Sequence, residues 1–235
     1  MNKFQCIVAD NPWSFSDALS MSSVKRGADA HYSTMTTNDL CELPVKEIAD
    51  PEGCVLALWV VGSMLEDGMR VMKAWGFEQK QVYCWIKNKK QKSINDIAFK
   101  DTISAIKKLK KDPNALQTVV KEMVKTSLRM GDWLLSFGMG RLFRSSAEIC
   151  LIGINNTKIY QQLQNKSQRS VCFAENTGHS TKPENLQDSL ELMFPTANKI
   201  EIFGRRERNG WTVIGNEVGK NEDILVSLNR MIDKE

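Results

Sequence analysis

Histidine is scarce, with two residues in 235, and none of the six cysteines stands in a C-x-x-C pair. Tetrahedral zinc sites are built from clustered thiolates and imidazoles, so a structural or catalytic zinc falls outside the expected functions. Cys6, Cys41, Cys54, Cys84, Cys150 and Cys172 lie mostly inside apolar runs. A free cysteine there behaves as a small hydrophobe, and reduced thiols are expected. The chain also lacks an uninterrupted apolar run long enough to span a bilayer, and its opening MNKFQCIVAD has no basic segment followed by an apolar stretch. A soluble, intracellular protein without membrane attachment is the expectation. Neither G-x-G-x-x-G after a strand nor G-x-x-x-x-G-K-[ST] occurs, and F-G-M-G at 137–140 lacks the lysine of a phosphate-cradling loop. That disfavours an ATPase. There is no internal repeat or low-complexity tract, and a net charge of +4 suits a solvated surface as well as a polyanionic partner.

What is present is a regular alternation. Short apolar runs exchange with helical patterns, as in an α/β sheet. The predicted strands are 4–9, 55–61, 81–86, 148–154, 170–174 and 199–203, several apolar on both faces as buried central strands are. Ser63 and Glu66 have capping-box spacing ahead of a helix with Leu65, Met69 and Met72 on one face, and Gly76 supplies its stop. Thr181 and Glu184 have the same spacing ahead of Leu186, Leu190 and Met193. Between about 93 and 137 the pattern is purely helical, with Leu116, Val119, Val120, Met123 and Val124 as its stripe. The expected organisation is one domain over 1–235 carrying a helical insertion at about 93–137.

The sharpest feature is Asp10-Asn11-Pro12-Trp13, placed directly after the first strand. Ligands of open α/β sheets bind at the carboxyl ends of strands. A carboxylate and a main-chain carbonyl that accept the N–H bonds of an adenine amino group would localise its lone pair, while an indole face stacks the extruded base. Taken alone, the same four residues read equally as a strand ending in an Asp/Asn/Pro turn.

The tetrapeptide resembles the D-P-P-W motif of the adenine-N6 methyltransferases related to the seventy-kilodalton eukaryotic mRNA adenosine methyltransferase subunit, a family whose phage and bacterial branch modifies DNA. Further segments agree in order: H-Y-S-T-M at 31–35, V-L-A-L-W-V at 55–60, H-S-T-K-P-E at 179–184, K-I-E-I-F-G-R at 199–205 and W-T-V-I-G-N-E at 211–217. Asn11 stands where the family usually has proline; the carbonyl acceptor survives, proline's fixed φ does not.

The resemblance implies a Rossmann-like, S-adenosylmethionine-dependent methyltransferase fold in permuted order, the catalytic motif preceding the cofactor motifs. It assigns catalysis to Asp10, Asn11, Pro12 and Trp13. The cofactor would be held by Asp10, His179, Ser180, Lys182, Glu201, Phe203, Arg205, Asn216 and Glu217, with Lys182 pairing with the methionine carboxylate at a helix start. Glu201 on an apolar strand needs a partner, for which a ribose hydroxyl is suited. Nucleic acid would meet Lys25, Arg26, His31, Tyr32, Lys87, Arg141 and Arg144, cations and rings flanking the catalytic edge. G-M-G-R-L-F-R also reads as a structural loop, and Lys107, Lys108, Lys110 and Lys111 as a solvated helix face. The implied reaction is methyl transfer to adenine N6 in DNA, without metal, in the cytoplasm of a bacterium or phage-infected host, with a homodimer as one expected assembly. The alternatives are an RNA substrate or a non-catalytic nucleic-acid-binding scaffold subunit.

Overall fold

A computed structural model describes residues 3–14, 34–90, 142–176, 181–218 and 222–233, together with 100, 103–104, 106–107, 116–117, 120–121, 134–136 and 138. Among them the chain runs β1 (Cys6–Ala9), α1 (Thr37–Glu42), α2 (Val45–Ile48), β2 (Val55–Val60), α3 (Leu65–Ala74), β3 (Glu78–Asn88), β4 (Ala147–Ile154), β5 (Val171–Glu175), α4 (Asn185–Met193), β6 (Lys199–Ile202), β7 (Trp211–Ile214) and α5 (Ile224–Ile232). The strands form a mixed sheet in the order β5-β3-β4-β2-β1-β6-β7. β1 is parallel to both β2 and β6, β7 is parallel to β6, and β4 is antiparallel to β2. This is a mixed α/β, Rossmann-like architecture. Among the described residues no helix is long and apolar enough to cross a membrane.

The chain divides into two compact units, one made of Met1–Cys84, Glu148–Ser170 and Asn185–Glu235, the other of Trp85–Ala147 and Val171–Glu184. In the first unit, every residue of β1 and β2 is buried. Continuous Val/Ile/Leu/Ala runs of this kind fit only strands covered on both faces. Ile7, Ala9, Leu56, Leu58, Ile200 and Ile202 form one core with Leu40 of α1, Val45 and Ile48 of α2, Val71 and Met72 of α3, and Ile224 and Leu228 of α5. The indole N–H of Trp75 donates to Leu40 O at 2.7 Å, so this buried ring leaves no donor unpaired.

All six predicted strands are present, with ends moved by at most three residues. β7, formed by the first residues of the W-T-V-I-G-N-E segment, is an additional strand. α1 opens on a capping box, with Thr36 Oγ1 accepting from Asp39 N and Thr36 N donating to Asp39 Oδ2. The Ser63–Glu66 box does not form. Gly62–Met64 is a 3-10 turn, and Met64 caps α3 without a side-chain hydrogen bond. The buried face of α3 is Gly68, Val71 and Met72, while Leu65 and Met69 are exposed. Gly68 sets that face, because a Cβ there would lie 2.4 Å from Val60 Cγ1. Gly76 ends α3 as expected, at φ 84° with its N–H on Lys73 O and that of Phe77 on Met72 O. The Thr181–Glu184 box does not start a helix either. α4 begins at Asn185, since Pro183 steers Lys182 away from helical dihedrals.

In the second unit Trp85 donates its indole N–H to Ala174 O at 3.0 Å. The segment preceding β4 is not purely helical, because Leu135 forms an antiparallel bridge with Asn88. Of the predicted insertion stripe, Leu116 and Val120 are exposed, and Val119, Met123 and Val124 lie outside the described residues.

Candidate active site

The sheet register aligns the carboxyl ends of three strands. Ala9 pairs with Leu58 of β2 and Ile202 of β6, and Ile202 pairs with Ile214 of β7. The next residues along β1, β6 and β7 are Asp10, Phe203 and Gly215, so they leave the sheet at one edge. From β1 the chain first builds outward through β2 and later returns to the other side as β6 and β7. That reversal of strand order is a topological switch point, where an open α/β sheet forms its ligand crevice.

Asp10 is half-buried at this point, and its backbone N–H donates to Ile202 O at 3.4 Å. The carbonyl of Asn11 accepts from Trp13 N at 2.9 Å, and that of Pro12 from Met35 N at 2.8 Å. Each oxygen has a second lone pair, so an incoming amino group still finds an acceptor. Ser14 N donates to Met35 O at 3.0 Å, completing a short parallel bridge that fixes the tetrapeptide beside the start of α1.

Trp13 departs from expectation. Its ring is 4% exposed and joins the core, and its indole N–H donates to Trp59 O at 3.0 Å. The indole therefore presents no open face for a base; it anchors the motif to β2. The reason is physical: an apolar ring in the same core cluster as Ala9 and Met64 gains more from burial than from display at a strand end.

Asn11 is also buried, and both polar atoms of its carboxamide lack a hydrogen-bond partner. Among the described residues four buried side-chain polar atoms are unpaired, and three of them belong to Asn11 and to Gln187 of α4. Gln187 Nε2 reaches Glu201 Oε2 of β6 at 3.2 Å, so the partner that Glu201 requires is at least in part an internal amide. Each orphan costs about 1–3 kcal/mol, and such costs collect at binding sites. Proline in place of Asn11 would remove both orphans at similar volume. Asn11→Pro is expected to raise the ligand-free unfolding free energy by about 1–3 kcal/mol. Urea denaturation measures this, and an unchanged or lower midpoint would contradict the assignment of strain.

The ends of β6 and β7 are similarly constrained. Phe203 has φ 63°, a left-handed conformation that costs a bulky residue about 1–3 kcal/mol. Beyond it Gly204 and Gly215 pack backbone to backbone. A Cβ on Gly215 would come within 2.3 Å of Gly204 O, and one on Gly204 within 2.2 Å of Val213 Cγ1. Arg205 pairs with Glu217 at 3.4 Å, and Asn216 and Glu217 are exposed. Hydroxyl-accepting carboxylates, an amide, a guanidinium and an aromatic ring thus share the edge that carries Asp10. With the orphaned amides, this donor set fits a ribose, an adenine and a charged amino-acid tail in kind.

α4 is fastened to the segment between β6 and β7 by a cluster that the sequence did not disclose. Arg208 donates to Glu191 Oε1 at 2.7 Å and to Asp188 Oδ1 at 2.6 Å, and Trp211 Nε1 donates to the same Glu191 oxygen at 2.6 Å. The Arg208 hydrogen bond holds the Glu191 carboxyl below the usual range. Nearby Lys199 is buried, its Nζ donating to Ala197 O at 2.8 Å. Gln187 was equally missed. Its only signal was a polar residue beside Leu186 on the inward face of an amphipathic helix.

Other candidates belong to the second unit or lie outside the described residues. Lys182 belongs to the second unit and lies three residues before α4, not in its first turn. Lys87 and Arg144 belong to that unit too, with Lys87 Nζ 5.1 Å from the centre of the Trp85 ring and Arg144 exposed. Lys25, Arg26, His31, Tyr32, Arg141, His179 and Ser180 lie outside the described residues.

The MT-A70 family profile matches residues 4–111 and 114–217. The N(6)-adenosine-methyltransferase MT-A70-like protein of Drosophila melanogaster is 26% identical over 93% of this chain, and the human N(6)-adenosine-methyltransferase catalytic subunit METTL3 is 24% identical over 93%. The chain spans 27% and 29% of those two proteins. Type II methyltransferase M.MunI of a Mycoplasma species is 23% identical over 94% of this chain and is itself covered over 80%. With its motif at the switch point and a profile match over most of its length, the chain belongs to the MT-A70 family.

Proposed function

We propose that this chain methylates the N6 amino group of adenine in DNA. The observation that carries the reading is the placement of Asp10, at the tip of β1 beside the ends of β6 and β7, in a family whose members perform this transfer. Adenine N6 is a weak nucleophile because its lone pair is delocalised into the ring. Asp10 accepts one N6–H, and the Asn11 or Pro12 carbonyl accepts the other through its remaining lone pair. N6 would become pyramidal as it attacks, with the carboxylate offsetting the positive charge that develops; the donor's carbon–sulfur bond breaks as the nitrogen–carbon bond forms, and one N6 proton is then lost to solvent. S-adenosylmethionine, when bound, supplies an electrophilic methyl on a sulfonium. Asn216 and Glu217 are suited to its hydroxyls and base, and Phe203 and Glu201 to its adenosine half. Lys182, His179 and Ser180 keep the roles that the resemblance gives them, Lys182 toward the carboxylate. Trp13 contributes by holding the motif in place. Catalysis is then mostly positioning, as suits an already activated methyl donor.

DNA is preferred to RNA because the motifs resemble the family's phage and bacterial branch and the chain is similar to a Type II methyltransferase over 94% of its own length. The same reading has a permuted methyltransferase sheet, cytoplasmic action in a bacterium or infected host, and a monomer or homodimer. The test offers radiolabelled S-adenosylmethionine with DNA and RNA in parallel, then identifies the product nucleoside by mass spectrometry. N6-methyldeoxyadenosine is expected. N6-methyladenosine from RNA alone would move the substrate, and cofactor binding without transfer to either would indicate a scaffold.

A further inference from the structure

Leu142 and Phe143 are 94% and 89% exposed, the most exposed large hydrophobic residues among those described. Adjacent apolar side chains this far into water need a reason, and the described residues around them are hydrogen-bonded in place. Ser136 Oγ donates to Asn88 O at 2.6 Å, Ser146 Oγ to Ser136 O at 2.7 Å, and Lys87 N to Ser146 O at 2.8 Å. Ser136 N donates in turn to Lys87 O at 2.7 Å, and Lys89 N to Leu134 O at 2.8 Å. The base of the loop is so tight that a Cβ on Gly138 would lie 2.2 Å from Ser145 O. The stem is therefore fixed, and Leu142 and Phe143 stand exposed shortly before Ser146, which closes it.

The surroundings select the occupant. Arg144 follows the pair, Lys87 and Lys89 are tied to the stem, and Lys90 comes next. No acidic residue occurs from Leu134 to Ser146. A protein partner for an apolar pair does not call for such one-sided charge, whereas a phosphate backbone does. We infer that Leu142 and Phe143 form a wedge that enters the base stack of duplex DNA, the flanking cations holding the phosphates on either side. The inference rests on the nucleic-acid reading above and deepens it: an enzyme acting on an adenine amino group must empty a place in the stack, and an apolar wedge fills the vacancy.

The test uses the full chain and two fluorescein-labelled duplexes, one intact and one with a single abasic position, which mimics the emptied stack. Anisotropy titration should show the wild-type protein binding the abasic duplex at least about tenfold tighter. The Leu142→Ala/Phe143→Ala variant should bind both duplexes alike, with unchanged melting temperature and salt dependence. Arg144→Ala should weaken binding to both equally and lower the salt slope. In methylation assays the double variant should keep its rate on single-stranded DNA and lose at least about fivefold on duplex, where a base must be extruded. A double variant that retains the abasic preference, or a wild-type protein without it, would overturn the wedge. So would a double variant that changes only sedimentation, since the pair would then be a protein contact. Wild-type methylation of duplex adenine alongside any of these results leaves the proposed function standing, and its absence with the abasic preference intact does the reverse.

Discussion

Asp10→Ala is expected to reduce methyl transfer by at least about a thousandfold while the protein stays folded, because in the proposed mechanism the carboxylate faces the developing charge on N6. The backbone place of Asp10 is kept by its N–H on Ile202 O and by the buried run that precedes it. The side chain is only half-buried, so truncation opens no cavity. Circular dichroism and thermal melting should therefore match the wild type. Asp10→Asn separates charge from geometry. The amide retains one acceptor oxygen, loses the negative charge and can turn a donor toward the amino group, so it should stay within about tenfold of the alanine variant. Turnover is read by label transfer under single-turnover conditions. Activity of Asp10→Ala within tenfold of wild type would contradict the role given to the carboxylate.

The strands were legible in the sequence because buried parallel strands are nearly uniform apolar runs, as in Val55–Val60. Their edge was legible too, since Asp10, Phe203 and the residues after Ile214 follow directly from such runs. Helix starts were less so. Ser63 and Glu66 have capping-box spacing yet form none, whereas Thr36 and Asp39 form one ahead of a helix of six residues. Spacing records which bonds are possible; the packing of Gly68 against Val60 decides which turn of the chain meets the sheet. Lys182 was placed in a first turn by the same pattern, and Pro183 excludes it.

Polar residues inside the site were the least legible. Gln187 and Asn11 carry no motif of their own, and their meaning lies in atoms left without partners, which only a fold discloses. The Arg208–Glu191–Trp211 cluster joins residues up to 20 apart through side chains, with no periodicity to announce it. Trp13 shows the converse. Its position beside Asp10 suggested a stacking platform, yet large aromatic rings beside a core are buried by the same hydrophobic gain that forms the core. The motif and the core share this residue.

Trp13→Ala should consequently be a stability variant first. Removing a ring that is 4% exposed and hydrogen-bonded to Trp59 O should cost about 3–5 kcal/mol, equivalent to a fall of about 6–20 °C in melting temperature. Trp13→Phe is the informative companion. Phenylalanine retains an aromatic face but cannot donate, so Trp59 O loses that partner and stability should fall by about 1–2 kcal/mol. If the ring stacks the target base, the phenylalanine protein keeps its KM for DNA and most of its kcat. If the ring anchors the tetrapeptide, kcat falls by at least about tenfold with little change in cofactor affinity, because a small displacement of Asp10 is enough to spoil the approach to N6. The buried indole leads to the second result. Calorimetry and steady-state kinetics on the two variants read both quantities, and a phenylalanine variant with wild-type melting temperature and kcat would show that the bond to Trp59 holds nothing in place.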